Sequence, residues 1–509
     1  MTKPLNVLYV TPDQWRGEAL SVLGHPTVKT PHLDALAADG VMFTSHFAQC
    51  SPCGPSRASL HTGMYLMNHR SVRNGTPLDS RFTNIALEAR KAGYDPALIG
   101  YTDTTVDPRD YGADHPDLRN GYEGVLPGFN PLVLLPTQPV AWVNYLAEQG
   151  YEVTERPSDM FAPENGYRTI GGFGPFDAPA RFRAEHSDTA FSADEAIKFI
   201  ARQEDRPWFL HLVFLRPHPP YVAPAPYHRL YDPDRVPGFV RKPTAEEEAR
   251  QHPFLAYRLR GDRNVAGLSE RDQRCLRATY FGMMTEVDHH IGRIVAFLEG
   301  NGLAGDTLIV FTSDHGDTLG DHWLVGKETY FDSAFFVPLI IRLPGAEWDA
   351  GRGRVVDAFT ENVDIMPTIL DLIGCEIPVQ CDGCSLKPFL DGGAPPRWRR
   401  EVHWEYDFRD VADDRIEAEL GPDFGECSLA VIRDRRYKYV HFAGLPPLLF
   451  DIENDPGELE NLADDPAYAP TALDYARKML SWRMAHDERT LTGIKLTSSG
   501  VMELTRGRR

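Results

Sequence analysis

Leu5-Asn6-Val7-Leu8-Tyr9-Val10 runs directly into Thr11-Pro12-Asp13-Gln14, and the reading of this stretch decides the fold. The apolar run is short and ends in turn-forming residues, which predicts a buried β-strand rather than a helix or a leader segment. The same shape recurs along the chain. Trp208 to Leu215 is an apolar run followed by Arg216-Pro217-His218, and Thr307 to Thr312 is followed by Ser313-Asp314-His315-Gly316-Asp317. Ala97 to Tyr101 and Phe336 to Arg342 read as further strands.

Helical segments lie between them. Pro31 to Asp39 has helical periodicity, with Thr30 as its expected N-cap, Pro31 in the first turn and Gly40 as its stop. Phe82 to Lys91, Ser192 to Gln203 and Thr285 to Leu298 also read as helices, with Ser192 and Glu195 forming a capping box. Uniformly apolar strands separated by helices predict an α/β fold: a large, mostly parallel sheet between helices. In such sheets ligands gather beyond the carboxyl ends of the strands, where Asp13, His218 and Asp314 stand.

Two stretches rich in Pro, Gly and aromatics, Asp107 to Arg183 and Pro217 to Arg241, read as excursions over the face that carries the site. After Trp398 the pattern becomes short alternating strands, at Glu401 to Tyr406, Leu429 to Arg433 and Tyr437 to Phe442, with a turn at Asp434-Arg435-Arg436. A helix near Thr471 to His486 follows. The expected division is a catalytic α/β domain over 1–395, a small antiparallel-sheet subdomain over 396–489 and a C-terminal arm over 490–509.

The chain has 509 residues, and 53 Lys and Arg face 73 Asp and Glu, a formal charge of −20. That balance excludes nucleic acid and anionic membrane as main partners. No stretch approaches the roughly 20 apolar residues of a membrane span, and a cytoplasmic protein is expected. Seven cysteines in this length predict reduced thiols rather than a disulfide framework. The Cys-x-x-Cys spacing of Cys381 and Cys384 reads as coincidence, because no second pair sits at zinc-ribbon spacing.

Asp13 and Asp314 each follow a buried strand, and neighbouring strand ends could bring both onto one cation. With Gln14 and His315 they make a mixed oxygen and nitrogen set, suited to Mn²⁺ or Zn²⁺, and to Ca²⁺ if His315 does not bind. Either aspartate alone reads as a turn former. The loop Cys53-Gly54-Pro55-Ser56-Arg57-Ala58-Ser59-Leu60-His61-Thr62-Gly63 is more specific. It resembles the sulfatase signature, Cys-x-Pro-Ser-Arg followed by Thr-Gly, with His61 where the family usually has Leu. Thr30 to Asp34, Thr312 to Gly316, and Leu449 to Asp451 with Glu453 to Glu458 are similar to other segments of that family.

The resemblance, to the sulfatases of the alkaline phosphatase superfamily, implies that Cys53 is oxidised to formylglycine by a separate formylglycine-generating enzyme. A hydrated aldehyde offers two hydroxyls on one carbon: one attacks the central atom of the ester, and the other expels the anion by carbon–oxygen cleavage. The resemblance further implies one divalent metal ion, with Mn²⁺ first and Ca²⁺ or Zn²⁺ as alternatives, held by Asp13, Gln14, Asp314, His315 and residue 53. It makes Arg57, His218 and Lys327 catalytic and sets Asn74 and Tyr101 against the substrate. Ser56 to Thr62 reads as a helix start, so residue 53 would lie at a positive helix end that favours an anion.

Many sulfatases carry Asp-Asp and Asp-Asn where this chain has Asp13-Gln14 and Asp314-His315. That departure, with Gly100 to Asp103 and His218 to Val222, is similar to the phosphonate monoester hydrolase and phosphodiesterase branch. Asp103 stands where that branch leads us to expect a hydroxyl. The expected activity is hydrolysis of phosphonate monoesters and phosphodiesters, with promiscuity toward sulfate esters. The alternatives are a dedicated arylsulfatase or alkyl sulfatase, an inactive relative, and a two-zinc phosphatase using Ser56 with further ligands near Asp317 and His322. The expected partners are a small anionic ester and the maturation enzyme, and the C-terminal arm suggests a homo-oligomer, a dimer or tetramer.

Overall fold

The computed structural model describes residues 4–104, 106–112, 114, 115, 118, 123–163, 177–203 and 206–503. Its main sheet contains β1 (Asn6–Pro12), β2 (Val41–Phe43), β3 (Ala97–Gly100), β4 (Asn130–Leu134), β5 (Phe209–Phe214), β6 (Thr307–Thr312), β7 (Leu339–Arg342) and β8 (Arg354–Val356), in the order β8-β2-β7-β6-β1-β5-β3-β4. β4, β3, β5, β1 and β6 run parallel. β7 alone is reversed, antiparallel to both β6 and β2. The mostly parallel sheet is thus as the sequence predicts.

Alternation along β1 explains its burial on both sides. Leu8 and Val10 enter one core and Val7 and Tyr9 the other. The first core is covered by α1 (Pro31–Ala38), α4 (Asp188–Ala201) and α5 (Glu270–Gly300). The second is covered by α2 (Cys53–Thr62), α3 (Ile85–Lys91) and α6 (Ile365–Leu372).

Several helix ends differ from expectation for physical reasons. Thr30 does not cap α1 with its side chain. The carboxylate of Asp288, on α5, accepts instead from the amides of Leu33 at 2.8 Å and His32 at 3.3 Å. Helix α4 starts earlier than predicted: Ser187 caps it by accepting from Ala190 N at 3.0 Å, while Ser192 lies inside the helix and donates to Asp188 O. Helix α5 begins at Glu270, capped by Ser269, rather than at Thr285, since it buries Gln273 and Arg277 along with its apolar residues and so hides its periodicity. The excursion over 107–183 supplies the edge strand β4, the helix Val140–Glu148 and a small core around Trp142 and Phe161. Residues 164–176 of that excursion and 504–509 of the arm lie outside the described residues.

The C-terminal sheet comprises β9 (Val402–Asp407), β10 (Ser428–Arg433), β11 (Tyr437–Phe442) and β12 (Leu448–Asp451), all antiparallel, backed by α7 (Ala469–His486). Its fifth strand comes from far upstream: Cys50–Ser51 pairs parallel with β9, two residues before Cys53. The arm forms a hairpin, Ile494–Thr497 with Gly500–Glu503.

Candidate active site

Three strand ends and one helix start converge. Asp13 follows β1, Asp314 and His315 follow β6, and Cys53 opens α2. One ligand atom from each of Asp13, Cys53, Asp314 and His315 lies within 4.8 Å of the other three, and all four residues are buried. Cys53 Sγ is 3.3 Å from His315 Nε2 and 3.9 Å from Asp13 Oδ1. It occupies the place the oxygens of a formylglycine would take.

The set fits a divalent cation. His315 Nδ1 contacts the Gly316 carbonyl at 3.0 Å, and a carbonyl can only accept, so Nδ1 carries the hydrogen and Nε2 keeps its lone pair toward the cluster. Burial pushes His315 down to about 4 against the pull of Asp314, so the ring is neutral at pH 7. Burial works to raise Asp314, but His315, Arg57 and Lys327 outweigh it and hold the carboxyl well below its ordinary value. Asn362 donates from Nδ2 to Ser313 O at 3.0 Å and so fixes the turn that carries these two ligands.

Arg57, on the first turn of α2, binds the two carboxylates together. Its Nη2 donates to Asp13 at 2.9 Å and its Nε to Asp314 at 3.0 Å, while Nη1 donates to Tyr101 O at 3.1 Å. The Tyr101 ring lies under the guanidinium at 4.4 Å, and its hydroxyl donates to Asp13 Oδ2 at 2.8 Å. Tyr101 therefore orients Asp13 and Arg57, a role its placement against substrate did not anticipate.

Lys327 Nζ is 3.0 Å from Cys53 Sγ and donates to Gln14 Oε1 at 2.8 Å. Gln14 stands beside the four-residue cluster, with its amide nitrogen donating to Asp317. His218 follows β5; its Nδ1 donates to Pro219 O at 2.7 Å, and burial, with Lys327 nearby, lowers its pKa well below the ordinary value. Asn74 accepts Gly54 N–H at 2.8 Å. A β-carbon on Gly54 would lie 2.9 Å from Asp103 O and 3.0 Å from Asn74 Oδ1, which accounts for the glycine.

Asp103 is buried with its Oδ2 3.6 Å from Arg57 Nε, and its Oδ1 has no partner among the described residues. Burial pushes it up to about 8, against Arg57. Among the described residues the two-zinc alternative finds no support. Asp317 accepts from Leu319 N, Gly326 N and the Tyr221 hydroxyl, and His322 Nδ1 is 2.8 Å from Glu248. Ser56 donates to Asp314 O.

His61 is the one departure within the signature. Its ring is buried beside Tyr9 and His211, and neither nitrogen has a partner among the described residues. His61→Leu is expected to stabilise the protein by about 1–3 kcal/mol at pH 7, because an unsatisfied buried polar group is removed. Burial lowers His61 from 6.5 to about 3. Between those values only the unfolded chain takes up this proton, so acidification adds a destabilisation to the parent that the variant lacks. The gap should widen by about 1.4 kcal/mol per pH unit below 6.5. Thermal melts of both proteins at pH 7 and 5.5 check this, and a gap that narrows on acidification contradicts it.

The Sulfatase family model matches residues 5–375, and the chain belongs to this family of metal- and formylglycine-using ester hydrolases. Its particular relatives are closer still. It is 43% identical over 511 residues to the "Multifunctional alkaline phosphatase superfamily protein PehA" of Trinickia caryophylli, covering 97% of this chain and 98% of that one. The phosphonate monoester hydrolase of Agrobacterium radiobacter superposes with a TM-score of 0.94 at 46% identity, covering 99% of this chain and 100% of that one. The phosphonate monoester hydrolase SpPMH of Silicibacter pomeroyi gives 0.91 at 42%, with the same coverage. Residues 320–485 also match the model "N-sulphoglucosamine sulphohydrolase, C-terminal".

Proposed function

We propose that the protein is a formylglycine hydrolase of phosphonate monoesters and phosphodiesters, with secondary activity toward sulfate esters. The carrying observation is Cys53 at the start of α2 with Asp13, Asp314 and His315 around its Sγ. The names of the two closely similar solved structures, both phosphonate monoester hydrolases, support the first of these substrates. Asp13, Asp314 and His315 would hold the cation, Mn²⁺ by their mixed oxygen and nitrogen donors, with Gln14 Oε1 as a further oxygen shared with Lys327. When bound, the cation would polarise the ester and acidify a hydroxyl, and formylglycine would supply that hydroxyl.

The chain's own residues do the rest. Arg57 and Tyr101 hold Asp13 in place, and Arg57 offsets carboxylate charge, leaving room for an anion. Lys327 presents its ammonium to the ester oxygens beside residue 53 and can give a proton to the leaving oxygen, while His218, with its hydrogen on Nδ1, has an Nε2 that can accept a proton. Asn74 fixes the first amide of the helix and so the aim of residue 53. We further infer a catalytic domain over 1–395, a sheet subdomain over 396–489, and an arm that joins copies of the chain, since Leu496, Val501 and Met502 on its hairpin are exposed. No helix among the described residues is long and apolar enough to cross a membrane.

Peptide mass spectrometry tests the modification: the Cys53 peptide should lose one sulfur and two hydrogens and gain one oxygen. Second-order rates on matched aryl phosphonate, phosphodiester and sulfate esters test the substrate. Phosphonate and diester rates should exceed the sulfate rate, and the reverse order would favour a dedicated sulfatase. Chelation is expected to remove turnover and added Mn²⁺ to restore it more fully than Ca²⁺, as read by rates on metal-stripped protein.

A further inference from the structure

A cavity of 530 Å³ lies between α5's preceding loop, the β9 end and the Arg73 turn, and five arginines face three carboxylates across it. Two further carboxylates answer these arginines from outside the lining, Glu328 on Arg258 and Asp413 on Arg415, so the charges balance and any recognition rests on guanidinium hydrogen-bonding capacity left unused. Two of its aromatic walls, Phe254 and Phe408, lie with ring centroids 5.0 Å apart.

Three of the residues that line the cavity are tied to segments that carry site residues. Arg73 precedes Asn74, the acceptor for Gly54 N–H. Arg258 pairs at 2.7 Å with Glu328, the neighbour of Lys327. Arg263 accepts Val325 N–H on its carbonyl at 3.0 Å, two residues before Lys327.

The hydrogen-bonding capacity of its arginines is not all used. Arg73 is given over to the carbonyls of Phe408 and Arg409, with Asp410 at 3.8 Å, and Arg260 pairs with Glu419. The Nε–H of Arg258, a buried atom, has no acceptor among the described residues. The guanidinium of Arg263 is exposed and forms no ion pair among them. Guanidinium groups beside flat apolar walls suit a planar group that bears an oxyanion.

Resting on the formylglycine reading above, we infer that the arginine-lined cavity receives the leaving arm of the substrate, and that this arm carries its own anionic group, a carboxylate or a phosphate, on a flat apolar body. The side of the site favours the leaving arm over the retained one: Glu328, which pairs with Arg258 of the cavity, directly follows Lys327, the donor to the departing oxygen in that reading.

The test uses two aryl methylphosphonate monoesters with leaving phenols of matched acidity, one bearing a ring carboxylate and one neutral. Converted, metal-loaded parent and Arg263→Gln are compared by kcat/KM at low and high salt. The parent should favour the carboxylated ester by about tenfold at low salt, and less at high salt. Arg263→Gln should lose most of that preference while its rate on the neutral ester stays within about twofold. The free carboxylated phenol should inhibit the parent more strongly than the variant. A parent indifferent to the carboxylate, or a variant that slows both esters equally, overturns the proposal and leaves the formylglycine reading standing. Turnover of neither ester overturns both.

Discussion

Cys53→Ala is expected to lower turnover of every ester by at least about 10⁴-fold, the scale on which removing a covalent nucleophile acts. The fold should survive. Cys53 Sγ touches polar groups of the site rather than the apolar core, and the helix it opens is held by Gly54 N–H on Asn74 and by Ser56 N–H on Pro52 O. Cys53→Ser separates the two halves of the chemistry. A single hydroxyl can attack once but lacks the second oxygen that would expel the product, so a stoichiometric burst without steady turnover is expected. Stopped-flow release of the phenol reads both variants. Retention of more than a tenth of parent activity by Cys53→Ala would remove residue 53 from the reaction.

Arg57→Met should produce the second large effect, on stability. The guanidinium is buried and bridges Asp13, Asp314 and the Tyr101 carbonyl, with Asp103 3.6 Å away. Methionine nearly fills the volume but leaves carboxylates without their cation, which in buried networks costs about 3–5 kcal/mol. A divalent ion would supply part of the missing charge. The loss should therefore be largest in metal-free protein and should shrink when metal is added. Arg57→Lys should not rescue it, because one ammonium cannot reach three acceptors that a planar fork reaches together. Chemical denaturation with and without Mn²⁺ checks both statements. A loss that metal leaves unchanged would show that Arg57 acts by packing.

The main sheet and the convergence of Asp13, Cys53, Asp314 and His315 were readable from the sequence because both depend on local pattern. Fully buried parallel strands appear as unbroken apolar runs, and the residues just beyond them are those a sheet of this kind offers to a ligand. Asp13, Asp314 and His315 follow from that rule, and Cys53 from its signature. What escaped was non-local. The cap of α1 comes from Asp288, more than 250 positions away, so no inspection of Thr30 could reveal it. The reversal of β7 follows from its pairing with β2 and β6 rather than from its own residues. The hydrogen bond from the Tyr101 hydroxyl to Asp13 escaped too, since only the fold brings the two together. Strand β4 has an exposed, irregular pattern at the sheet edge, which a proline- and aromatic-rich sequence does not advertise.

The pairing of Cys50–Ser51 with β9 sets a clock on maturation. On the formylglycine reading, an oxidising enzyme must reach the Cys53 thiol, and in the finished protein that thiol is buried beside a segment clamped into a sheet edge. The clamp cannot close until Val402–Asp407 has left the ribosome, about 350 residues after Cys53. At ordinary synthesis speeds that leaves roughly 20–70 s in which the thiol is still accessible. A cell that makes this chain faster than its oxidase can visit it would accumulate well-folded molecules locked permanently in the thiol form.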